Sequence, residues 1–256
     1  MAAGHSPMEQ FEVKPVLQQE PLFQLWGQDI FLTNSALWMI IVVLAATALL
    51  TLPVRMAGII PGRAQSVAEL LYEFVAKIVT DMAGDAGMRY FPLIFTLFCF
   101  VLFSNLLGML PYSFTVTSHI IVTFALAMVV FVFTTLLGLW HNGLGFFKIF
   151  LPSGVPWWLW WLIIPIEIIS YLSRPISLSV RLFANMLAGH TMLKVFAGFV
   201  VTFISAGGAF SALSIFPLLG AVAVTALEFL IAFLQAYVFT VLTCIYINDA
   251  LHAGEH

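Results

Sequence analysis

Apolar residues run almost unbroken through 36–54, 91–110 and 118–140, each close to the ~20 residues a helix needs to cross about 30 Å of hydrocarbon. Pro53 and Arg55 close the first stretch, and Pro92, Pro111 and the His141-Asn142-Gly143 turn bound the other two. Between the first two the pattern changes. Over 62–83, Val67, Leu70, Leu71, Phe74, Val75 and Ile78 recur at helical spacing opposite Glu69, Glu73, Lys77 and Asp81, which predicts an amphipathic helix lying on the membrane surface. Further on, 158–205 and 210–250 stay apolar for about twice the length of an upright span. Pro165, Pro175 and Pro217 permit kinks, yet no polar loop interrupts either stretch. A continuous helix over 158–205 is roughly 70 Å long, so standing upright it would push apolar residues into water; tilt avoids that cost. The pattern therefore predicts an all-α polytopic membrane protein with five membrane helices plus one amphipathic surface helix, the last two spans forming a long tilted antiparallel hairpin joined at Gly207-Gly208. The chain divides into a polar N-terminal segment (1–35), membrane helices (36–140, with the amphipathic helix at 62–83), a loop (141–157), the hairpin (158–250) and a tail (251–256).

Composition sharpens this reading mainly by exclusion. The 256 residues are 62% hydrophobic and only 8% charged, with a mean hydropathy of +1.07, where soluble domains carry roughly 25% charged residues. Nine Lys+Arg against twelve Asp+Glu leave no basic surface for nucleic acid, and the apolar content excludes disorder. Cys99 and Cys244 sit inside apolar runs and imply no disulfide framework. The N-terminal segment has no basic region leading into an apolar one, so a cleaved signal peptide is not expected. Lys and Arg stay cytoplasmic, and Arg55, Arg63, Lys77, Arg89 and Lys148 all fall on one side if the first span runs inward. The opposing connections, 111–117 and 206–209, contain neither Lys nor Arg. This puts the N-terminal segment, with Glu9, Glu12, Glu20 and Asp29, outside and the C-terminus inside.

Charges within the hairpin are the exception that points to chemistry. Glu167, Arg174, Arg181, Lys194 and Glu228 lie at bilayer depth, where a charge costs from about 2.5 to over 10 kcal/mol and marks function by default. Glu167, Ser170, Arg174, Ser177, Arg181 and Asn185 recur at intervals of three or four and form one stripe. Glu228, Gln235 and Tyr246 share a face of the second long helix. Antiparallel pairing about the two glycines sets Arg181 opposite Gln235 and His190 level with Glu228. Along the first long helix Glu167 comes first, Arg181 lies roughly 21 Å further, and the His190/Glu228 level some 13 Å beyond.

Arg cannot be deprotonated in a protein, so Arg181 bars a proton or holds a carboxylate; Glu and His accept and release protons. Titratable stations on both sides of a fixed cation describe two half-paths that must not connect directly, and an external carrier would be needed to pass the barrier. Arg174 either snorkels or pairs with Glu167. Lys194 snorkels toward the outer interface. Asn105, Ser170 and Ser177 serve either as interhelical hydrogen-bond glue or, for the serines, as lining of a water path. The two ligands His190 and Glu228 are too few for zinc, and no metal site is expected. Trp157, Trp158, Trp160 and Trp161 read as an interfacial belt, and His252 with His256 as a mobile tail. No HExxH, GxSxG or Walker sequence is present. A self-contained proton-coupled secondary transporter is the rival reading, but neither an internal repeat nor a midplane pocket is evident. A purely structural subunit leaves Arg181 and Glu228 unexplained.

Two stretches are specific: Ser173-Arg-Pro-Ile-Ser-Leu-Ser-Val-Arg-Leu-Phe-Ala-Asn-Met-Leu-Ala-Gly-His190 and Glu228-Phe-Leu-Ile-Ala-Phe-Leu-Gln-Ala-Tyr-Val-Phe-Thr-Val-Leu-Thr-Cys-Ile-Tyr246. With Phe103-Ser-Asn-Leu-Leu-Gly-Met-Leu-Pro111 and the order of spans, the chain resembles the a subunit of F-type ATP synthases from its first span onward. The resemblance implies that Arg181 is the family's essential arginine, with Asn185 its neighbouring asparagine and Gln235 its glutamine on the last helix. Glu167 matches an acid of the cytoplasmic-side path. His190 and Glu228 are arranged as in the mitochondrial and related bacterial type, other members having the acid and imidazole exchanged. It further implies a non-catalytic proton-channel subunit of the cell inner membrane, without cofactors. The expected partners are a rotating ring of c subunits, each with a mid-membrane carboxyl, and peripheral-stalk b-type subunits. The ring would be the external carrier, and its rotation would drive ATP synthesis in a separate soluble sector.

Overall fold

In the computed structural model, residues 12–15, 23–25, 28–55, 62–110, 113–150 and 157–253 are described. Glu9, Glu20, Pro111 and His256 lie outside them. The helices are α1 (Asn34–Arg55), α2 (Arg63–Gly87), α3 (Phe91–Gly108), α4 (Ile120–Asn142), α5 (Trp160–Ala206), the short α6 (Ala209–Leu213) and α7 (Ile215–His252). Five helical stretches are long and apolar enough to cross a membrane: Asn34–Val54, Arg63–Gly108, Ile120–Asn142, Trp157–Ala206 and Phe210–His252. The all-α polytopic expectation is met, and α2 is the further helix, joined to α3 through the turn Met88–Tyr90. A small addition escaped the hydropathy pattern. Strands β1 (Phe23–Leu25) and β2 (Gln28–Ile30) pair antiparallel, Phe23 opposite Ile30, in the N-terminal segment.

Local chemistry explains where the helices start and stop. The Ala36 N–H donates to Thr33 Oγ1 (3.2 Å) and the Ser35 N–H to Asn34 Oδ1 (2.9 Å), capping α1 at its polar entrance. Pro53 lies inside the last turn of α1 instead of ending it. Gly84, at φ 62°, lets α2 turn toward α3. Gly207 and Gly208, at φ 69° and 60°, end α5 and reverse the chain where the hairpin turn is expected. The second arm starts as α6 and resumes as α7 after Ser214, so it is not one uninterrupted helix over 210–250. In contrast, α5 runs 47 residues without a break through Pro165 and Pro175, about 70 Å along its axis.

Contacts group the chain into two compact units. One comprises Met1–Thr47, Phe100–His119 and Leu182–Gln235, and the other Ala48–Cys99, Ile120–Arg181 and Ala236–His256. In the first, the facing arms of the hairpin run antiparallel. Asn185 meets Gln235, a side chain at Gly189 would meet Glu228, and one at Gly220 would meet the Phe196 ring.

In the second unit, α2 buries Ala68, Val75, Ile78, Val79 and Ala83, while Tyr72 packs edge-on to Phe91 and Phe74 lies against Phe98. Val67 and Leu70 are exposed, so the buried face is rotated from the expected one. Phe74 also lies 6.0 Å from the Tyr237 ring of α7, so α7 as well as α3 packs against α2. The expected loop at 141–157 is largely helical as far as Phe150, a 3-10 segment over Gly143–Phe150 following α4. The expected tail also begins later. Leu251 and Ala253 are buried, and the His252 Nδ1 lies 3.0 Å from the Asn248 carbonyl, because α7 continues through His252 and the Asn142 amide donates to the Ala250 carbonyl (2.6 Å).

Candidate functional site

None of the six stripe residues of α5 is fully buried. The buried positions of α5 are Pro175, Leu178, Ser179, Leu182 and Met186; Ser170, Ser177 and Arg181 are exposed, and Glu167, Arg174 and Asn185 half-buried. Helical geometry fixes this division, since Leu178 and Leu182 lie one turn apart on the packed face and the stripe falls on the flank. The ion pairs among the described residues are Lys14–Glu12 and Arg174–Asp249, so none of them involves Arg181. A permanent cation on an apolar helix is thus presented outward, toward whatever lies against this chain. Ser170 and Ser177 are exposed in the same way. Lys194 is exposed as well.

The polar residues of α7 are arranged oppositely. Glu228 is 4% exposed and Gln235 3%, on the same buried face of α7 as Ala232 and Ala236. Gln235 Oε1 accepts a hydrogen bond from the Asn185 Nδ2 (2.8 Å). The equal-rise pairing had set Arg181 opposite Gln235; the observed partner is one turn further along α5, because helix packing sets the level and the reversal at 207–214 is not symmetrical. Glu228 lies against Gly189, next to His190, at the expected level. His190 itself reaches elsewhere: its Nε2 is 3.1 Å from Thr115 Oγ1. Glu228 Oε2 and Gln235 Nε2 are buried without a hydrogen-bond partner.

Thr115 belongs to the α3–α4 connection, which packs as a buried polar knot. The Thr115 hydroxyl donates to the Gly108 carbonyl (3.1 Å), the Ser118 hydroxyl to the Thr115 carbonyl (2.6 Å) and the Thr117 hydroxyl to Asn105 Oδ1 (2.9 Å). Asn105, fully buried, donates to the Ala232 carbonyl on α7 (3.3 Å), in keeping with its reading as interhelical glue. His119 stacks on Phe114 with centroids 5.0 Å apart, and burial pushes its imidazole below the ordinary value. Sequence reasoning missed Thr115 altogether. A threonine in a short connection with several hydroxyl side chains carries no periodic signal, and only the fold brings it to His190.

Arg174 pairs with Asp249 and not with Glu167. Its Nη1 donates to Asp249 Oδ2 (3.1 Å), and its guanidinium lies 5.1 Å from the Tyr171 ring centroid and 4.9 Å from that of Tyr246. The Tyr171 hydroxyl lies 2.7 Å from Thr135 Oγ1, which extends the cluster to α4. Asp249 was overlooked because it stands near the end of the apolar run, where an acid reads as a boundary. The pairing follows from spacing in space: Asp249 and Tyr246 are one turn apart on α7 and present acid and ring together.

Comparisons with known proteins agree along the whole length. The profile of the family described as ATP synthase A chain matches residues 36–248. The chain is 57% identical over 249 residues to the ATP synthase subunit a of Parvibaculum lavamentivorans, covering 97% of this chain and 94% of that one. It is similar to the ATP synthase subunit a of Mesorhizobium japonicum, at 56% identity with 97% of each chain covered. The ATP synthase subunit a of Chelativorans sp. is 55% identical over 97% of this chain and 98% of its own. A profile spanning four of every five residues, and relatives aligned end to end at this identity, establish that the chain belongs to the ATP synthase A chain family, as a component of the proton-translocating membrane sector.

Proposed function

We propose that the chain is the non-catalytic, proton-conducting stator subunit of that sector, with two half-paths kept apart by Arg181 and coupled to the rotation of an adjacent ring of c subunits. The observation that carries this reading is the outward presentation of Arg181 on α5, with no ion pair among the described residues, while Glu228 is buried on α7. An exposed guanidinium at bilayer depth needs a carboxylate from another chain, and a ring carboxyl supplies it. A proton reaches the inlet path by way of Glu228, His190 and Asn185 and neutralises that carboxyl, which can then turn into lipid without a bare charge. After most of a turn it meets the outlet beside Glu167, Ser170 and Ser177 and is released. Arg181 pairs with the resulting carboxylate and bars a direct leak. Gln235 orients Asn185, which it bonds, on the inlet side of the barrier.

On this reading α5 and the α6–α7 arm lie steeply tilted along the ring, the N-terminus is outside, the C-terminus cytoplasmic, and the membrane is the cell inner membrane. Peripheral-stalk b-type subunits hold the chain against rotation. Two buried unpartnered atoms, Glu228 Oε2 and Gln235 Nε2, support the choice of inlet face, because native interiors rarely tolerate such atoms except where function requires them. The test is Arg181→Ala in the assembled complex. ATP-driven pumping is expected to vanish while passive proton leak persists, since the barrier goes and both half-paths remain; normal coupled synthesis would falsify the central claim.

A further inference from the structure

We propose that Thr115 is a positioning residue for His190, fixing neutral His190 as the Nε2–H tautomer and so making Nδ1 the atom that takes up and releases the proton. This rests on the inlet-path reading above. The assignment follows from counting hydrogens at one oxygen. Thr115 Oγ1 carries a single proton and has two neighbours, the Gly108 carbonyl at 3.1 Å and His190 Nε2 at 3.1 Å. A carbonyl only accepts, and the Gly108 carbonyl takes both the Ser113 hydroxyl (2.8 Å) and the Thr115 hydroxyl, so with the threonine proton on Gly108 the hydroxyl oxygen is left to accept from His190. Both contacts are made together only when Nε2 carries a hydrogen. The lone pair of the neutral ring is then on Nδ1.

The same bond survives protonation. In the imidazolium both nitrogens donate, so Nε2–H still points at Thr115 and only Nδ1 changes state. The ring therefore titrates without losing its anchor, which keeps its orientation constant through a cycle. The anchor is itself held on three sides. Thr115 is 5% exposed, its carbonyl accepts from the Ser118 hydroxyl, and its side chain presses on Gly108, where an added Cβ would lie 2.9 Å from Thr115 Cγ2 and 3.2 Å from Oγ1. This gives a reason for the glycine in Phe103-Ser-Asn-Leu-Leu-Gly-Met-Leu-Pro111, which the proton-path assignment alone leaves idle.

The experiment uses the assembled complex in liposomes, with this subunit alone labelled with ¹⁵N-histidine and the His190 signals assigned by their loss in His190→Ala. The native spectrum should show the Nε2–H tautomer, retained in Thr115→Ser and mixed in Thr115→Val. ATP-driven pumping should stay within about twofold in Thr115→Ser and fall about tenfold in Thr115→Val, as expected for loss of one orienting hydrogen bond. A native Nδ1–H tautomer, or a valine variant matching serine in tautomer and rate, overturns the proposal. If Thr115→Val does not assemble, the native and serine spectra still decide. Normal pumping in His190→Ala would instead remove the inlet-path reading, while leaving the tautomer assignment to stand or fall on the spectra.

Discussion

Gly189 and Glu228 illustrate how closely single side chains are constrained at this site. A Cβ at Gly189 would collide with Glu228 Oε1 and come within 2.8 Å of Cδ and 2.9 Å of Cγ. The glutamate is buried on α7, so its carboxylate cannot swing into solvent to make room. Gly189→Ala should displace the carboxylate by about an ångström and slow ATP-driven pumping by about tenfold to a hundredfold, the usual penalty for a misplaced reacting group. Assembly should be nearly unaffected, because the added methyl replaces no existing contact. Pumping rates measured at equal complex content check this, and an alanine variant at the native rate removes Glu228 from the path. Replacement by serine should behave like alanine, since volume and not polarity is at issue.

At the scale of elements, the helix ends remote from the turn are held by polar and aromatic contacts that the apolar pattern does not reveal. Arg174 on α5 meets Asp249 and Tyr246 on α7, and Tyr171 ties the cluster to α4. The Arg174 side chain is 27% exposed and that of Asp249 40%, so the ion pair is screened and the ring contacts add to it. We expect a double-mutant cycle of Arg174→Ala and Asp249→Ala, read as thermal stability of the purified complex, to give a coupling of about 1 kcal/mol. Strict additivity in that cycle would show that the two side chains do not act together. Arg174 lies two turns before Arg181 on the same stripe, so this clamp also sets the rotation of α5 that presents Arg181. Pumping in the double variant should therefore fall more steeply than stability does.

For the whole molecule, the decisive feature is incompleteness. The stripe residues Ser170, Ser177 and Arg181 are exposed, and the ion pairs among the described residues leave Arg181 out. The purified chain reconstituted alone should therefore be inert in solute uptake and should not couple proton flow to anything. Cysteine pairs are the sharper measurement. Single Cys replacements at Ser170 and Ser177 should form disulfides with Cys on the carboxyl-bearing helix of a c subunit, whereas Cys at the buried Leu178 should not. Solute uptake by the lone chain, or cross-linking from Leu178 but not Ser177, would favour a self-contained carrier.

Much of this architecture is written in one-dimensional order because a bilayer punishes exposed backbone polarity and misplaced charge so heavily. The number of spans and the reversal at Gly207-Gly208 follow from unbroken apolar runs and glycine punctuation, and charges where none belong single out Glu167, Arg181 and Glu228 as candidates. The continuity of α5 through Pro165 and Pro175 follows from the absence of any polar break. Contacts between residues distant in sequence were not encoded in that way. The partner of Gln235 depends on how α6 and α7 leave the turn, that of Arg174 on an aspartate near the helix end, and that of His190 on a connection with no periodicity. The buried face of α2 likewise depends on which rings of α3 and α7 it meets. Transfer of side chains out of water depends on composition and spacing and is legible in sequence. Hydrogen bonds and ion pairs need two groups within about 3 Å of each other, and only the packed tertiary structure decides which two meet.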